Sequence, residues 1–231
     1  MIECINLKRR FEQGGRVVHV LKGIDIDIER EKLTILRGRS GSGKTTLLNI
    51  MGGLDLPTSG TVIVDNVRID QLNDAARTKM RRQDMGFIFQ SFALLPHLSA
   101  WENVELSLRM ADVPRNQWKV RIQECLELVG LGKRAKHRPS ELSGGEQQRV
   151  AIAKAIAHRP KMLLADEPTA ELDTNMSKQI LRVFHDVLAS QKMTICMTTH
   201  DPMMMEGADF VYEMVDGILA KQSVSDTIAN K

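Results

Sequence analysis

Apolar and polar residues alternate strictly through Ile24-Asp-Ile-Asp-Ile28, which puts one face of a strand in a core and the other in water. Met1 to Leu7 alternates in the same way. The first thirty residues therefore predict short half-buried strands, broken by a loop at Gln13-Gly14-Gly15. Lys32 to Arg37 predicts a buried strand, and Thr61 to Asp65 and Met85 to Phe89 predict two more. A helix is expected from about Thr45, with Leu47, Leu48 and Met51 on one face and Gly52-Gly53 as its stop. Between about Ser91 and Leu142 the period becomes helical. Trp101, Val104 and Leu108 share one face; Ile122, Leu126 and Val129 share another, ended by Gly130. Strand and helix then alternate again: Met162 to Ala165, a helix bearing Ile180, Phe184 and Leu188, and Met193 to Met197. That rhythm argues for a parallel sheet covered by helices, with the helical segment inserted as a separate lobe. The polar stretch from Ser223 to Lys231 reads as a loose tail.

Two glycine-rich segments carry the chemistry. Gly38-Arg-Ser-Gly-Ser-Gly-Lys-Thr45 fits the phosphate-loop pattern, with a strand before it and a helix after it. Its backbone N–H groups and the helix N-terminus are suited to phosphate oxygens, Lys44 to the outer phosphates and the Thr45 hydroxyl to Mg²⁺. Met162 to Asp166 delivers a carboxylate at a strand end, where Asp166 is expected to hold Mg²⁺ through water. Glu167, next in sequence, is the expected base for an attacking water. The second segment, Leu142-Ser-Gly-Gly-Glu-Gln-Gln-Arg149, is another cradle. One nucleotide needs one cradle, so the second is expected to close on a nucleotide held by another copy. The absence of an Asn-Lys-x-Asp tetrapeptide favours adenine over guanine. Phe11 reads equally as a stacking platform or as core.

Composition narrows the class without selecting a partner. The chain has 231 residues and a formal net charge of +3, which demands neither nucleic acid nor a membrane surface. Its three cysteines, Cys4, Cys125 and Cys196, match no metal spacing and read as reduced core residues of a cytoplasmic protein. Neither a signal peptide nor a membrane-spanning run is expected.

In this order the motifs resemble those of the ATP-binding-cassette ATPases over nearly the whole chain. The resemblance implies a P-loop NTPase: a RecA-like parallel core, an N-terminal antiparallel β subdomain and an inserted α-helical subdomain. The core would take about 1–90 and 143–231, the helical subdomain about 91–142. Gly38, Arg39, Ser40, Gly41, Ser42, Gly43, Lys44, Thr45 and Thr46 would hold the nucleotide, with Phe11 stacked on adenine. Ser143, Gly144, Gly145 and Glu146 would bind it in trans. Gln90 would reach Mg²⁺ or the attacking water, His200 would bridge γ-phosphate and Glu167, and Ala170-Glu-Leu-Asp173 would form the D-loop, with Asp173 sensing the opposite site. Two positions depart from the usual pattern: Arg39, commonly proline or alanine, and Glu171, usually a small or amide residue.

Within that family, Leu47-Leu-Asn-Ile-Met-Gly-Gly-Leu54, Gly86-Phe-Ile-Phe-Gln90, Leu94-Leu95-Pro96 and Glu102-Asn103-Val104 are similar to subunits of lipoprotein-release and macrolide-export transporters. The resemblance implies ATP and Mg²⁺, a head-to-tail homodimer, and a separate membrane permease docking near Ser91 to Trp101. It places the chain at the inner face of the membrane through that permease. A regulatory ATPase that moves no solute shares the same engine. A soluble cassette acting on DNA or ribosomes is disfavoured, because neither a coiled-coil or zinc insert nor a second cassette is present.

Overall fold

In a computed structural model, which describes residues 1–224, the chain forms two sheets and a helical layer. The order is β1 (Ile2–Gln13), β2 (Arg16–Ile28), β3 (Leu33–Arg37), α1 (Lys44–Met51), β4 (Ser59–Val64), β5 (Val67–Arg68), α2 (Asp74–Asp84), β6 (Met85–Ile88), α3 (Ala100–Met110), α4 (Arg115–Leu128), α5 (Gly144–Ile156), β7 (Met162–Asp166), α6 (Thr174–Gln191), β8 (Thr194–Thr198), α7 (Pro202–Met205), β9 (Phe210–Val215) and β10 (Ile218–Val224). The antiparallel sheet runs β2-β1-β4-β5 and the larger one β10-β9-β3-β8-β7-β6. In the larger sheet every neighbouring pair is parallel except β9 with β10.

The expected alternation holds where it was strictest: Ile24, Ile26 and Ile28 are buried and Asp25 and Asp27 exposed. The first thirty residues, however, are not several short strands. They make one long hairpin, with register shifts near Cys4, Leu7 and Arg9 that bend it instead of ending it. In the parallel sheet β3, β7 and β8 are buried almost throughout, as strands covered on both faces must be. All three cysteines are buried, and burial pushes the Cys4 thiol up to about 12 and the Cys125 thiol up to about 11.

Helices α3 and α4 pack Val104, Leu108, Ile122 and Leu126 against α5. Trp101, expected on the same face, is only partly buried at the edge of that cluster. The cluster continues without a break through Val150, Ile152 and Ile156 of α5 to Leu33, Leu163 and Ile195 of the sheet. The lobe is thus fastened to the sheet through α5. Asn103, completely buried, donates to the Leu95, Leu98 and Ser99 carbonyls and accepts from the Leu95 amide, pinning the loop before α3. Ser223 and Val224, expected in the tail, instead close β10 against Val211 and Phe210; residues 225–231 lie outside the described residues.

Candidate active site

The phosphate loop follows β3, Gln90 follows β6, Glu167 follows β7 and His200 follows β8, so four segments meet beyond the carboxyl ends of neighbouring parallel strands. In open α/β sheets that is where ligands bind. Two of the loop glycines are obligatory. At Gly38 a Cβ would collide with the Met214 carbonyl oxygen, and Gly43 turns into α1 with φ +104°. Lacking a side-chain cap and an acidic first turn, the N-terminus of α1 leaves its amides to an anion. The turn after β9 buttresses the loop: the Gly217 amide donates to the Ser42 carbonyl. Ser42 is buried with its hydroxyl unpartnered.

A cleft of about 660 Å³ opens there, lined by Gly38, Arg39, Ser40, Gly41, Gly43, Lys44, Thr45 and Thr46. Val20, Gln90, Glu167, Ala170 and His200 complete its lining. Lys44 is only 7% exposed; its ammonium donates to the Gly38 and Arg39 carbonyls at 2.8 and 3.2 Å and lies 3.6 Å from the Glu167 carboxylate. The other Glu167 oxygen is 2.8 Å from His200 Nδ1. One carboxylate therefore joins the phosphate-binding cation to the histidine.

Asp166 is held differently. The register of β7 on β8 sets it opposite Thr198, whose hydroxyl donates to Asp166 Oδ1 at 2.6 Å. Thr45 Oγ1 donates to the same oxygen at 3.1 Å. The Thr198 hydroxyl in turn accepts from the Glu167 amide at 2.9 Å. Thr198 is wholly buried, so both carboxylate residues are aligned by one hydroxyl. The Thr45 hydroxyl and the Asp166 carboxylate form a set of hard oxygen donors, which fits Mg²⁺.

Gln90 is exposed and reaches Glu171 Oε1 at 3.5 Å. Ser143, Gly144, Gly145 and Glu146 do not line the cleft. Instead Ser143 caps α5: its hydroxyl accepts from the Glu146 amide at 3.3 Å and the Glu146 carboxylate accepts from the Ser143 amide at 2.9 Å. Asp173 likewise caps α6, accepting from Asn175 and Met176 amides. Phe11 is 39% exposed on β1, outside the cleft lining, with the Arg9 guanidinium 4.3 Å above its ring. Sequence reasoning did not single out Thr198, Val20, Met214 or Gly217. Their roles come from strand register and from chain crossings, such as Met214 with Gly38 and Gly217 with Ser42, which leave no local signature.

The sequence profile of the ABC transporter family matches residues 21–170. The lipoprotein-releasing system ATP-binding protein LolD of Saccharophagus degradans is 40% identical over 222 residues, covering 96% of this chain and 97% of that one. The macrolide export ATP-binding/permease protein MacB of Rhodopirellula baltica is 41% identical over 96% of this chain, which matches 33% of that protein. Among solved structures, the dimeric ABC transporter cassette MJ0796 superposes with a TM-score of 0.91 at 36% identity, over 99% of this chain and 100% of that one. A post-hydrolysis dimer of MJ0796 bound to ADP and Pi gives 0.90 at 35% identity. With that likeness over the whole length, and with the phosphate loop, Glu167 and His200 converging on one cleft, this chain belongs to the ABC transporter family as one of its ATP-hydrolysing cassettes.

Proposed function

We propose that this cassette is the motor of a membrane complex of the lipoprotein-release or macrolide-export type, closing head to tail with a second copy when ATP binds. The observation that carries the reading is the separation of the two cradles. The phosphate loop, Glu167 and His200 share a cleft that Ser143 to Glu146 do not line, so the signature of one subunit is left to complete the site of another.

The chemistry follows from the residues around the cleft. Loop amides and Lys44 hold the phosphates of ATP. Glu167 takes the proton of the water that attacks the γ-phosphorus while the bond to the β-phosphate oxygen breaks and ADP leaves with the electron pair. His200, already on the second Glu167 oxygen, keeps that carboxylate turned towards the cleft. Thr45, Asp166 and Gln90 would hold Mg²⁺, which when bound neutralises charge on the β- and γ-phosphate oxygens. Ser143 and the amides beginning α5 contact the γ-phosphate from the other subunit, with Asp173 beside them. ADP lacks those oxygens, so hydrolysis loosens the pair. Phe11 stacks on adenine after yielding the Arg9 guanidinium that now covers it.

Docking of a permease is supported by a groove of about 410 Å³ between sheet and lobe, whose apolar lining includes Leu54, Phe87, Phe89, Phe92, Leu106 and Met110. Of the loop expected to dock, Leu95 is 46% exposed beside Asn103, while Leu94 packs into the core. Among the described residues no helix is long and apolar enough to cross a membrane, so attachment at the inner face runs through the permease.

The test is an affinity capture of tagged Glu167→Gln from detergent-solubilised cells with ATP and Mg²⁺, identifying what co-purifies. A membrane protein with a few spans and a large extracytoplasmic domain supports the reading. Recovery of a soluble dimer alone, or of ribosomes or DNA, overturns the transport role.

A further inference from the structure

Among the described residues, two opposite charges, one at the phosphate loop and one near the signature, have no oppositely charged partner. Arg39 is exposed at the rim of the nucleotide cleft, and among the described residues its guanidinium enters no hydrogen bond or ion pair. Glu171 is exposed in the turn between β7 and α6, and among the described residues its one polar contact is with Gln90 at 3.5 Å. The two do not pair with each other in one subunit.

The turn that carries Glu171 is packed onto the signature. A Cβ on Gly144 would lie 3.8 Å from the Leu172 side chain, and one on Gly145 would lie 2.8 Å from the Met176 sulfur. Gly145 thus lies directly against the Met176 side chain of α6. Ser143 and Glu171 therefore travel together, and any surface that receives one receives the other close by.

We propose that Arg39 of each copy pairs with Glu171 of the partner subunit, forming two symmetry-related ion pairs that set the register of the closed dimer. This rests on the head-to-tail reading above. There, Ser143 of one copy meets the phosphate loop of the other, and the exposed cation on that loop is Arg39. Two-fold symmetry makes the contact reciprocal, so each charge that is unpaired in the monomer is matched once in the dimer. The gain is in selectivity as well as affinity: a cassette lacking this cation–anion combination presents a mismatched face.

The experiment uses the full chain carrying Glu167→Gln, with saturating ATP, and reads dimer formation by sedimentation velocity. Arg39→Glu puts acidic residues on both sides of each contact, and Glu171→Arg puts basic residues there. Each variant alone should dimerise on the order of tenfold to a hundredfold more weakly than the parent. An equimolar mixture should recover parental affinity as a heterodimer. In it the glutamate introduced into the first variant meets the arginine introduced into the second, and the second variant's native Arg39 meets the first variant's native Glu171. Recovery by mixing cannot arise from a contact inside one subunit. A mixture no tighter than its components, or single variants that dimerise like the parent, overturns the pairing. The milder Glu171→Ala supplies a second reading, since it should reduce the salt dependence of dimerisation; an unchanged dependence also overturns it. Failure of the parent itself to dimerise with ATP overturns the head-to-tail reading together with the pairing.

Discussion

Lys44 and Glu167 hold each other across the nucleotide cleft: the ammonium is 3.6 Å from the carboxylate that is placed to accept a proton from water. In the roles proposed above, the phosphate-binding residue and the base are thus mutually engaged before the nucleotide arrives. A γ-phosphate that takes Lys44 would release Glu167, freeing the base only when there is something to hydrolyse.

From this competition Glu167→Gln should bind ATP at least as tightly as the parent, having lost the carboxylate that competes for Lys44. Turnover should fall by roughly 10²–10⁴, and an ATP-bound dimer should accumulate. Equilibrium binding, steady-state phosphate release and sedimentation check the three arms. Undiminished turnover would contradict the assignment of the base.

Thr198 offers a separate handle on the same carboxylates. Thr198→Val keeps the shape and removes the hydroxyl that donates to Asp166 and accepts from the Glu167 amide. Stability should drop by only about 0.5–1.5 kcal/mol, because the Glu167 amide keeps its bond to the Thr198 carbonyl at 3.1 Å. The Mg²⁺ concentration for half-maximal activity should rise, because Asp166 Oδ1 is then aligned only by Thr45. A magnesium titration at saturating ATP reads this, and an unchanged midpoint would refute the alignment role.

Ser143 caps α5 and, in the proposed dimer, also contacts the other subunit's nucleotide; one substitution separates the two. As the cap of α5 its loss costs about 0.5–2 kcal/mol, visible as a lower melting temperature. As a contact to the other subunit's nucleotide, Ser143→Arg should abolish ATP-driven dimerisation while monomers still bind ATP. Loss of nucleotide binding by the monomer would contradict the in-trans role.

Stability should also depend on pH through His158. Its ring is half-buried at the groove, with Nε2 donating to the Met85 carbonyl at 3.0 Å and Nδ1 unpartnered among the described residues, and desolvation holds its pKa below the ordinary 6.5. The unfolded chain therefore binds this proton more readily than the folded one. The contribution is complete above 6.5 and is lost as pH falls below it. His158→Gln should flatten that acid limb in urea titrations run across the window; an identical slope would remove His158 as its cause.

Much of this was readable from the chain because its causes are local. The Ile24–Ile28 alternation, the Gly38–Thr45 loop and the apolar run into Asp166 each dictate geometry within a few residues. The strands β5, β9 and β10 and the helix α2 were not foreseen, the last because it buries no residue and so shows no apolar stripe. Thr198 was passed over for another reason. Its partnership with Asp166 is a matter of register between β7 and β8, fixed by the packing of the whole sheet. The signature was legible as a glycine cradle; its Ser143–Glu146 capping box is a local pattern that was passed over, whereas the seat of Gly145 against Met176 depends on where α5 and α6 meet.

Helix α5 begins at the signature and ends against the sheet, with Ile152 and Ile156 locked into the same core as Leu163. Its 13 residues make a rod of about 20 Å. A rod clamped along its length cannot absorb a push at its tip by bending. In the proposed head-to-tail dimer, force applied at Ser143 by a second subunit would therefore pass along α5 to the strands beneath and to α3 beside it. In mechanical terms the signature would be the loaded end of a stiff strut.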